Sequence, residues 1–213
     1  MIRLNSVKPA PIQDRLLHIS EVWDTDLSFE KGKRYLISAA SGKGKSTLLH
    51  VMYGLRTDYT GEIQIDKKSV HGFNLEDWAM IRQQRLSLVF QDLRLFPDLT
   101  GLENIQLKKQ LTPNYTPSIS IEIMATQLGM QDLLLQTCGT MSYGQQQRIA
   151  IIRALQQPFD FLLLDEPFSH LDDDNIKAAS KLIDAIVKEQ QAGFILVSLG
   201  DTYHFEYDYI LNL

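Results

Sequence analysis

The sequence predicts an α/β fold with a mainly parallel sheet, and three observations support that prediction. Apolar runs of strand length recur along the chain, at residues 35–37, 86–90, 161–164, 194–197 and 209–213. Short uninterrupted apolar runs are typical of strands that are buried on both faces, as in a parallel sheet. Residues 176–187 have one apolar face at helical spacing and lie between two of these runs, which gives the β-α-β order. The chain has 213 residues, enough for one domain with a single core.

Composition and charge exclude several classes of function. The formal net charge is −5, so the chain has no general attraction to nucleic acid. Cys138 is the single cysteine, which excludes an intrachain disulfide and a multi-cysteine metal site. No run reaches the roughly 18 apolar residues of a membrane span, and residues 1–20 lack the apolar core of a signal peptide. We therefore expect a protein of the reducing cytoplasm that contacts a membrane only as a peripheral partner.

A glycine-rich segment follows the first apolar run and precedes a run with helical character. It reads Ser-Gly-Lys-Gly-Lys-Ser-Thr over residues 41–47. The order of strand, glycine-rich turn and helix is that of a phosphate-binding loop. Gly42 and Gly44 allow backbone N–H groups to approach an anion at the N-terminus of the helix. We expect the loop to bind nucleotide phosphates through Ser41, Gly42, Lys43, Gly44, Lys45, Ser46 and Thr47.

Two side chains of this loop have distinct chemical tasks. Lys45 would bring a positive charge to the β- and γ-phosphates, and the Ser46 hydroxyl would be a ligand of Mg²⁺. The position at which such loops usually have their first glycine is Ala39. If that position needed a positive φ, alanine would cost about 1–2 kcal/mol. The alternative is a surface turn, rich in glycine and lysine, that binds nothing.

The middle of the chain has a helical pattern. Asn74 and the residues after it predict a capped amphipathic helix. Apolar residues between 105 and 134 have spacings more typical of helices than of strands, and residues 112–120 form a proline-containing loop. These patterns predict a helical insertion into the α/β core between Gln91 and about Leu155.

The third apolar run ends in two carboxylates, Asp165 and Glu166. In a parallel α/β sheet, ligands bind at the carboxyl ends of the strands, so these side chains would lie near the phosphate-binding loop. Asp165 would hold Mg²⁺ directly or through water. Glu166 would orient or activate an attacking water molecule. The alternative is a structural strand followed by a polar turn.

Residues 141–155 carry the most specific motif of the chain. They read Met-Ser-Tyr-Gly-Gln-Gln-Gln-Arg-Ile-Ala-Ile-Ile-Arg-Ala-Leu. With this segment and the two preceding motifs in the same order, the chain resembles the ATP-binding cassette (ABC) ATPases over roughly residues 27–197. Several motifs in one order are far more specific than one short motif.

In the family, the segment that corresponds to residues 141–145 is called the signature. The resemblance implies that two cassettes pair head to tail and enclose ATP between the phosphate-binding loop of one and the signature of the other. Ser142, Gly144 and Gln145 would then bind nucleotide bound to the second subunit. Tyr143 replaces the first glycine of the usual signature pair. The alternative role of Ser142 is to cap a helix, which is compatible with nucleotide binding.

The resemblance also implies roles for three further segments. Gln91 matches the glutamine that reaches Mg²⁺ and water and links the site to the helical insertion. Residues 93–105 resemble the surface that receives a coupling helix of a membrane subunit, although an ordinary amphipathic loop and helix would look similar. Residues 169–172 match the loop that crosses the dimer interface, with His170 at a position where alanine is common.

Two positions depart from the family pattern. The family has a switch histidine after a strand that resembles residues 194–197, and this histidine forms a hydrogen bond with the γ-phosphate or a water molecule. Leu199 occupies its position, and a leucine side chain cannot donate or accept a hydrogen bond. His204 lies nearby in the sequence and is either a substitute or an ordinary surface histidine. No aromatic residue between positions 5 and 22 is present to stack on adenine. Trp23 has a sequence context typical of packing, which leaves His18 as a weak substitute.

The resemblance implies a P-loop NTPase core with a mainly parallel sheet, an inserted helical subdomain and a small N-terminal β region. We expect residues 1–213 to form a single ABC ATPase domain. In this division the core comprises residues 1–91 and 156–213, and residues 92–155 form the helical subdomain that carries the signature.

The predicted function is that of the ATP-binding and ATP-hydrolysing subunit of an ABC transporter or related membrane complex, with ATP and Mg²⁺ as cofactors. Glu166 and Gln91 are the predicted catalytic residues, and Ser46, Gln91 and Asp165 are the predicted metal ligands. The expected partners are a permease-type transmembrane subunit and a second ABC ATPase subunit in a homodimer, without nucleic acid. The expected location is the inner face of the cytoplasmic membrane. Chain size and the segment at 99–105 are most similar to the lipoprotein-release, macrolide-export and cell-division group.

One alternative function remains open. Ala39, Tyr143 and Leu199 are also compatible with a regulatory module that binds nucleotide and hydrolyses it weakly or not at all. Against this alternative, a chain without catalysis would have little need of Glu166. We therefore expect a working but slow ATPase.

Overall fold

The structure is a computed structural model that describes residues 1–10, 12, 20–40 and 42–213. Two sheets contain all the strands of the described residues. The strands are β1 (Ile2–Pro9), β2 (Asp26–Phe29), β3 (Arg34–Ser38), β4 (Tyr59–Ile65), β5 (Lys68–Ser69), β6 (Leu86–Val89), β7 (Phe161–Asp165), β8 (Gly193–Ser198) and β9 (Tyr209–Asn212). The described helices are α1 (Lys45–Met52), α2 (Leu75–Gln84), α3 (Gly101–Gln110), α4 (Ile121–Gln127), α5 (Tyr143–Ala154) and α6 (Asp173–Glu189).

The main sheet is parallel throughout and has the strand order β6-β7-β8-β3-β9. Each apolar run identified in the sequence becomes one of its five strands, which confirms the α/β prediction. The strands β6, β7 and β8 are buried along their whole length. Their side chains alternate between two hydrophobic clusters, one on each face of the sheet: in β7, Leu162 and Leu164 belong to one cluster, and Phe161 and Leu163 belong to the other. Burial on both faces is the reason these runs are continuously apolar.

A second, smaller sheet is antiparallel and has the order β2-β1-β4-β5. It is the N-terminal β region that the family resemblance implies. In β1, Ile2, Leu4 and Val7 are buried in the cluster that also contains α1 and one face of the main sheet. The register of β1 against β4 shifts between Asn5 and Lys8. This sheet thus covers the side of the main sheet that carries the phosphate-binding loop.

The helical insertion lies between β6 and β7 and consists of α3, α4 and α5. Local sequence explains where these helices begin. Thr100 and Glu103 form a capping box at the start of α3, and Ser142 and Gln145 form one at the start of α5. The predicted helix after Asn74 is α2, which has a capping box between Asn74 and Asp77. The exact domain boundaries at residues 92 and 155 stay a prediction.

Helix α6 packs its apolar face on the main sheet, on the side opposite α1. Ala179, Leu182, Ile183, Ile186 and Val187 are all buried in the same cluster as α4 and α5. The predicted amphipathic segment at 176–187 is therefore confirmed. None of the helices in the described part of the chain has the length and apolar character needed to cross a bilayer.

An ion-pair network joins the two sheets away from the phosphate-binding loop. The Arg85 guanidinium, just before β6, pairs with Asp160 at 2.6 Å and also with Asp66. The Lys31 ammonium pairs with Asp160 at 2.6 Å. Asp66 follows β4 of the small sheet and Asp160 precedes β7 of the main sheet, so the network links both layers.

Candidate functional site

The glycine-rich loop connects β3 to α1 at the carboxyl end of the parallel sheet. Gly42 and Gly44 have φ values of 79° and 95°, which side-chain-bearing residues rarely adopt. A Cβ at Gly44 would lie 2.5 Å from the end of the Ile12 side chain, which would have to shift, but the positive φ is the stronger reason for glycine here. Gly44 is the N-cap of α1, and the free N–H groups of a first helical turn favour an anion. The prediction for Ser41 falls outside the described residues.

Ala39 does not have the positive φ that would make alanine costly at the usual position of the first glycine. Its side chain is buried, and its N–H donates to the Ser198 carbonyl of β8 at 3.2 Å. The chain therefore leaves β3 in ordinary backbone geometry. The departure from glycine at this position carries no conformational penalty here.

Lys45 is the cationic centre of the site. Its ammonium donates to the carbonyls of Ala39 at 2.8 Å and Ala40 at 3.2 Å, and it lies 3.2 Å from a Glu166 carboxylate oxygen. Only 5% of the Lys45 side chain is exposed. Two carbonyls and one carboxylate thus hold the ammonium inside the loop, where its charge is only weakly screened by water.

Three oxygen-bearing side chains meet next to this lysine. The Ser46 hydroxyl donates to Asp165 Oδ1 at 3.1 Å and lies 3.5 Å from Gln91 Oε1. Asp165 is 1% exposed, and burial raises the pKa of its carboxyl to about 6, against the opposing effect of the Ser46 hydrogen bond. Hydroxyl, carboxylate and amide oxygens are the ligands that Mg²⁺ prefers. A divalent cation would supply the positive charge that this buried carboxylate lacks, so the donor set fits the predicted metal.

Glu166 directly follows the metal-ligand candidate on β7. It has a φ of 46°, and its N–H donates to the Val197 carbonyl at 3.1 Å. A non-glycine residue in the left-handed region is strained, and such strain is often found at functional sites. From this position the Glu166 carboxylate reaches to 3.2 Å from the Lys45 ammonium.

Two adjoining cavities surround these groups. One, of about 250 Å³, is lined by Gly42 and residues 44–47 of the loop, together with Gln91, Glu166 and Ile12; Lys43 is not part of this lining. The other, of about 360 Å³, is lined by Ser46, Gln91, Asp165 and Tyr143, among others. Lys45, the predicted metal ligands and Glu166 therefore lie together although they come from sequence-distant segments.

The signature residues lie at the start of α5. The Ser142 side chain accepts a hydrogen bond from the Gln145 N–H, and the Gln145 side chain accepts one from the Ser142 N–H. A Cβ at Gly144 would lie 2.8 Å from the His170 carbonyl, so the signature packs closely on the segment at 169–172. Among the described residues, neither Ser142 nor Gly144 lines the cavity of the phosphate-binding loop.

Tyr143 makes a contact that sequence reasoning missed. Its hydroxyl donates to the Gln91 carbonyl at 2.6 Å, and its ring lies against the His170 ring with centroids 4.3 Å apart. No local sequence pattern signals this contact, because Tyr143 and Gln91 are 52 positions apart. The two unusual residues, Tyr143 in the signature and His170 after β7, thus touch each other.

The positions that depart from the family pattern are also defined by the structure. Leu199 follows β8 and is 58% exposed. His204 Nε2 lies 3.0 Å from Asp173 Oδ1 at the start of α6, so this imidazole is engaged outside the cluster of Lys45, Ser46 and Asp165. Trp23 is buried, as its sequence context predicts. The prediction for His18 falls outside the described residues.

Comparisons with known proteins give a consistent result. A family model described as ABC transporter matches residues 22–169. The chain is 35% identical over 173 residues to the lipoprotein-releasing system ATP-binding protein LolD of Aquifex aeolicus, covering 80% of this chain and 76% of that protein. It is 34% identical over 201 residues to the thiamine import ATP-binding protein ThiQ of Aliivibrio fischeri, covering 93% and 80%.

Solved structures give the same relationship for the fold. A dimeric structure of the bacterial ABC transporter cassette MJ0796 superposes with a TM-score of 0.80 at 26% identity, covering all of this chain (100%) and 94% of that chain. A dimeric post-hydrolysis state of the same cassette, bound to ADP and Pi, superposes with a TM-score of 0.77 at 26% identity. That comparison covers 94% of this chain and 88% of that chain.

Proposed function

This chain belongs to the ABC transporter family, and on that premise we propose that it binds ATP with Mg²⁺ and hydrolyses it to drive a separate membrane subunit. The observation that carries the proposal is the meeting of Lys45, the Ser46–Asp165–Gln91 cluster and Glu166 at one edge of the sheet. These are the groups that phosphoryl transfer to water requires: a charge for the phosphates, ligands for the metal and a carboxylate for water.

Each group has a task that its position supports. Lys45 and the backbone N–H groups at the start of α1 would bind the phosphate oxygens and stabilise the charge that develops on them. Ser46, Asp165 and Gln91 would hold Mg²⁺, which neutralises phosphate charge when it is bound. Glu166, whose carboxylate lies 3.2 Å from the Lys45 ammonium, would accept a hydrogen bond from the attacking water and align it.

The site of one chain is incomplete, and we propose that a second copy completes it. Ser142, Gly144 and Gln145 would present the N-terminus of α5 to a nucleotide held by the partner chain. In support, Ser142 and Gly144 do not line the phosphate cavity of their own chain, within the part of the chain that is described. The solved relatives noted above are dimers. Residues 1–213 would form one ABC ATPase domain, with residues 92–155 as its helical subdomain.

The membrane partner would dock in a groove between the segment after β6 and helix α3. This cavity of about 210 Å³ is lined by Phe90, Phe96, Leu107 and the cations Lys108 and Arg153, among others. Burial lowers the pKa of Lys108 to about 8, and the nearby Arg153 acts in the same direction. A docking helix with apolar residues and one acidic side chain would fit this lining. Such docking places the chain at the inner face of the cytoplasmic membrane.

Replacing Glu166 by Gln tests both hydrolysis and dimerisation. The amide keeps the shape of the carboxylate but cannot accept a proton from water, so ATP should be bound and not turned over. We expect the Glu166→Gln protein to form a stable dimer with ATP and Mg²⁺ in size-exclusion chromatography with light scattering. With ADP it should be monomeric.

Lys45→Ala is the matched control, because it removes the phosphate-binding charge and should prevent both nucleotide binding and dimerisation. A Glu166→Gln protein that binds ATP and stays monomeric would contradict the proposed shared site. ATP turnover at the wild-type rate in the Glu166→Gln protein would contradict the proposed role of Glu166 in aligning the attacking water.

A second candidate function has one specific observation in its favour. Leu199 gives the chain no hydrogen-bonding side chain at the position of the switch histidine, which supports a nucleotide-binding regulatory module with weak or no hydrolysis. The two functions differ in the ATPase rate of the purified protein relative to its Lys45→Ala variant. A rate indistinguishable from that of Lys45→Ala, with ATP binding intact, would favour the regulatory module.

A further inference from the structure

The segment that follows β6 has an unusual backbone. Leu93 and Arg94 are consecutive non-glycine residues with φ values of 58° and 46°. Residues with a side chain are strained in this left-handed region of backbone geometry. A strained pair of this kind persists only when neighbouring groups hold it. Gln91, a predicted metal ligand, lies two residues before Leu93.

Helix α5 holds this segment at two points. Near the end of the helix, the Arg153 guanidinium donates to the carbonyls of Leu93 at 2.5 Å and Arg94 at 2.6 Å. At its first residue, the Tyr143 hydroxyl donates to the Gln91 carbonyl at 2.6 Å. The two side chains are separated by about 15 Å along the helix, at 1.5 Å per residue. Residues near both ends of helix α5 therefore form hydrogen bonds with the segment at 91–94.

The ring of Tyr143 packs against the segment that follows β7, and this packing orients its hydroxyl group. Its ring lies against the His170 imidazole, and His170 Nδ1 is 2.9 Å from the Ser169 hydroxyl. The Gln147 side chain ties the same region together, since it accepts from the His170 N–H and donates to the Glu166 carbonyl. The ring of Tyr143 is thus supported on one side by the segment that follows β7, while its hydroxyl reaches Gln91.

The consequence concerns the predicted metal ligands. Gln91 Oε1 is 3.5 Å from the Ser46 hydroxyl, at the limit of hydrogen-bond distance. Gln91 is exposed, so little packing restrains its side chain. Tyr143 also lines the cavity that contains Ser46 and Asp165. The hydrogen bond from Tyr143 fixes the Gln91 backbone and, with it, the region that the amide oxygen can reach.

We propose that Tyr143 is a positioning residue for Gln91, which holds the amide oxygen beside Ser46 and Asp165 and couples the signature helix to the metal site of the same chain. This inference rests on the proposed binding of nucleotide and Mg²⁺. In this chain the tyrosine that replaces the signature glycine gains a task that glycine could not perform, because glycine has no hydroxyl to donate.

The test compares Tyr143→Phe with Tyr207→Phe. Tyr143→Phe removes one oxygen and retains the ring against His170. Tyr207 is a matched control, since its hydroxyl also donates to a backbone carbonyl, that of Thr202, at 2.9 Å, outside both cavities of the site. Mn²⁺ serves as the probe for the metal site, because electron paramagnetic resonance reports its binding to the full chain with ADP. ADP affinity is measured separately in the presence of EDTA.

We expect Tyr143→Phe to raise the Mn²⁺ dissociation constant of the ADP complex by about three- to tenfold. A change of this size corresponds to the loss of one hydrogen bond between neutral groups. ADP affinity in EDTA should not change, because the phosphate-binding loop is intact. Amide hydrogen exchange at residues 92–94 should become faster in the protein without nucleotide. Tyr207→Phe should leave all three measurements at wild-type values.

An unchanged Mn²⁺ dissociation constant in Tyr143→Phe would overturn the proposal. An equal loss of ADP affinity in EDTA would also overturn it, because that result indicates a general structural role. If wild-type protein binds ADP and Mn²⁺ without ATP turnover, the proposed hydrolysis fails while the Mn²⁺ comparison still decides the role of Tyr143. If wild-type protein binds no nucleotide, both proposals fail.

Discussion

At the scale of single residues, Leu199 places an apolar side chain at the edge of the candidate site. It follows β8, which pairs in register with β3 so that Ser198 lies opposite Ser38. The residue after Ser198 is therefore at the same sheet edge as the start of the phosphate-binding loop. Its side chain is 58% exposed and has no polar atom to offer a γ-phosphate or a water molecule. His204 does not replace it, since its imidazole contacts Asp173.

Replacing Leu199 by His should raise ATP turnover. An imidazole at this edge could donate a hydrogen bond to a phosphate oxygen, and one ideally placed donor of this kind is worth about 10²–10³-fold in rate. We expect about a tenfold rise in kcat from an unoptimised position, measured as phosphate release under saturating ATP and Mg²⁺. Leu199→Ala is the control that removes the leucine without adding a polar group. Equal turnover in the two variants would refute the idea that Leu199 limits hydrolysis.

The site was predictable from sequence where one residue type at one spacing has one chemical use. Lys45 and Ser46 follow a glycine-rich turn, and Asp165 ends a buried strand; the structure brings all three together. The link between Tyr143 and Gln91 was not predictable, because it depends on how the inserted helices pack on the core. The sequence also could not show that Ala39 lacks a positive φ, because the backbone φ of a residue cannot be deduced from its type alone.

At the scale of elements, the strands of the main sheet could be predicted from the sequence, whereas those of the small sheet could not be located individually. The strands β6, β7 and β8 are buried on both faces and mainly apolar, so they were identified from the sequence. The edge strand β9 was also identified from its apolar run, although it is mostly exposed and not buried as that run predicts. In β1 the buried Ile2, Leu4 and Val7 are interspersed with exposed polar residues, and β4 contains Gly61 and Glu62. Those strands were not located individually, although a small N-terminal β region was expected from the family resemblance. Alternation over so few residues is a weak signal compared with a long apolar run.

Helix α6 offers the clearest prediction for an element. Ile183 is fully buried between the helix and the main sheet, in the cluster that also contains Leu164 and Leu196. Ile183→Ala should lower the free energy of unfolding by about 2–4 kcal/mol, through lost burial and a residual cavity. Chemical denaturation followed by circular dichroism measures this change.

Lys181→Ala is the control on the exposed face of the same helix, where the change should be within about 0.5 kcal/mol. A loss below 1 kcal/mol for Ile183→Ala, in the range of ordinary surface substitutions, would show that α6 contributes less to the core than its burial indicates.

At the scale of the whole molecule, the ion-pair network around Arg85 joins the two sheets. The Asp160 side chain is 17% exposed and bonds both Lys31 and Arg85. Burial alone would raise the pKa of Asp160, but its hydrogen bonds to Lys31 and Arg85 outweigh burial and lower the pKa below its usual value. A carboxyl with a lowered folded pKa stabilises the protein at neutral pH and loses that contribution as the pH falls through the folded pKa.

Asp160→Asn should therefore destabilise the protein in a pH-dependent manner. At pH 7 we expect a loss of about 1–3 kcal/mol, because the amide removes the carboxylate that pairs with Lys31 and one of the two carboxylates that pair with Arg85. As the pH falls through the lowered pKa of Asp160, the wild-type carboxyl becomes protonated, so the difference in stability from the variant should shrink. Urea denaturation at a series of pH values measures both. Asp98→Asn, on the exposed surface outside the network, is the control, and a pH-independent loss in Asp160→Asn would contradict the electrostatic explanation.

The strand order also has a consequence for how the protein is made. Within the described residues, β3 pairs only with β8 and β9, which are synthesised more than 150 positions later. The glycine-rich loop that follows β3 is anchored by those pairings and by the bond from Ala39 to Ser198. During translation the loop therefore emerges before the two strands that flank β3 have been made. Pairings between residues so far apart in sequence are slow to form, so the surroundings of the loop are completed at a late stage of synthesis and folding.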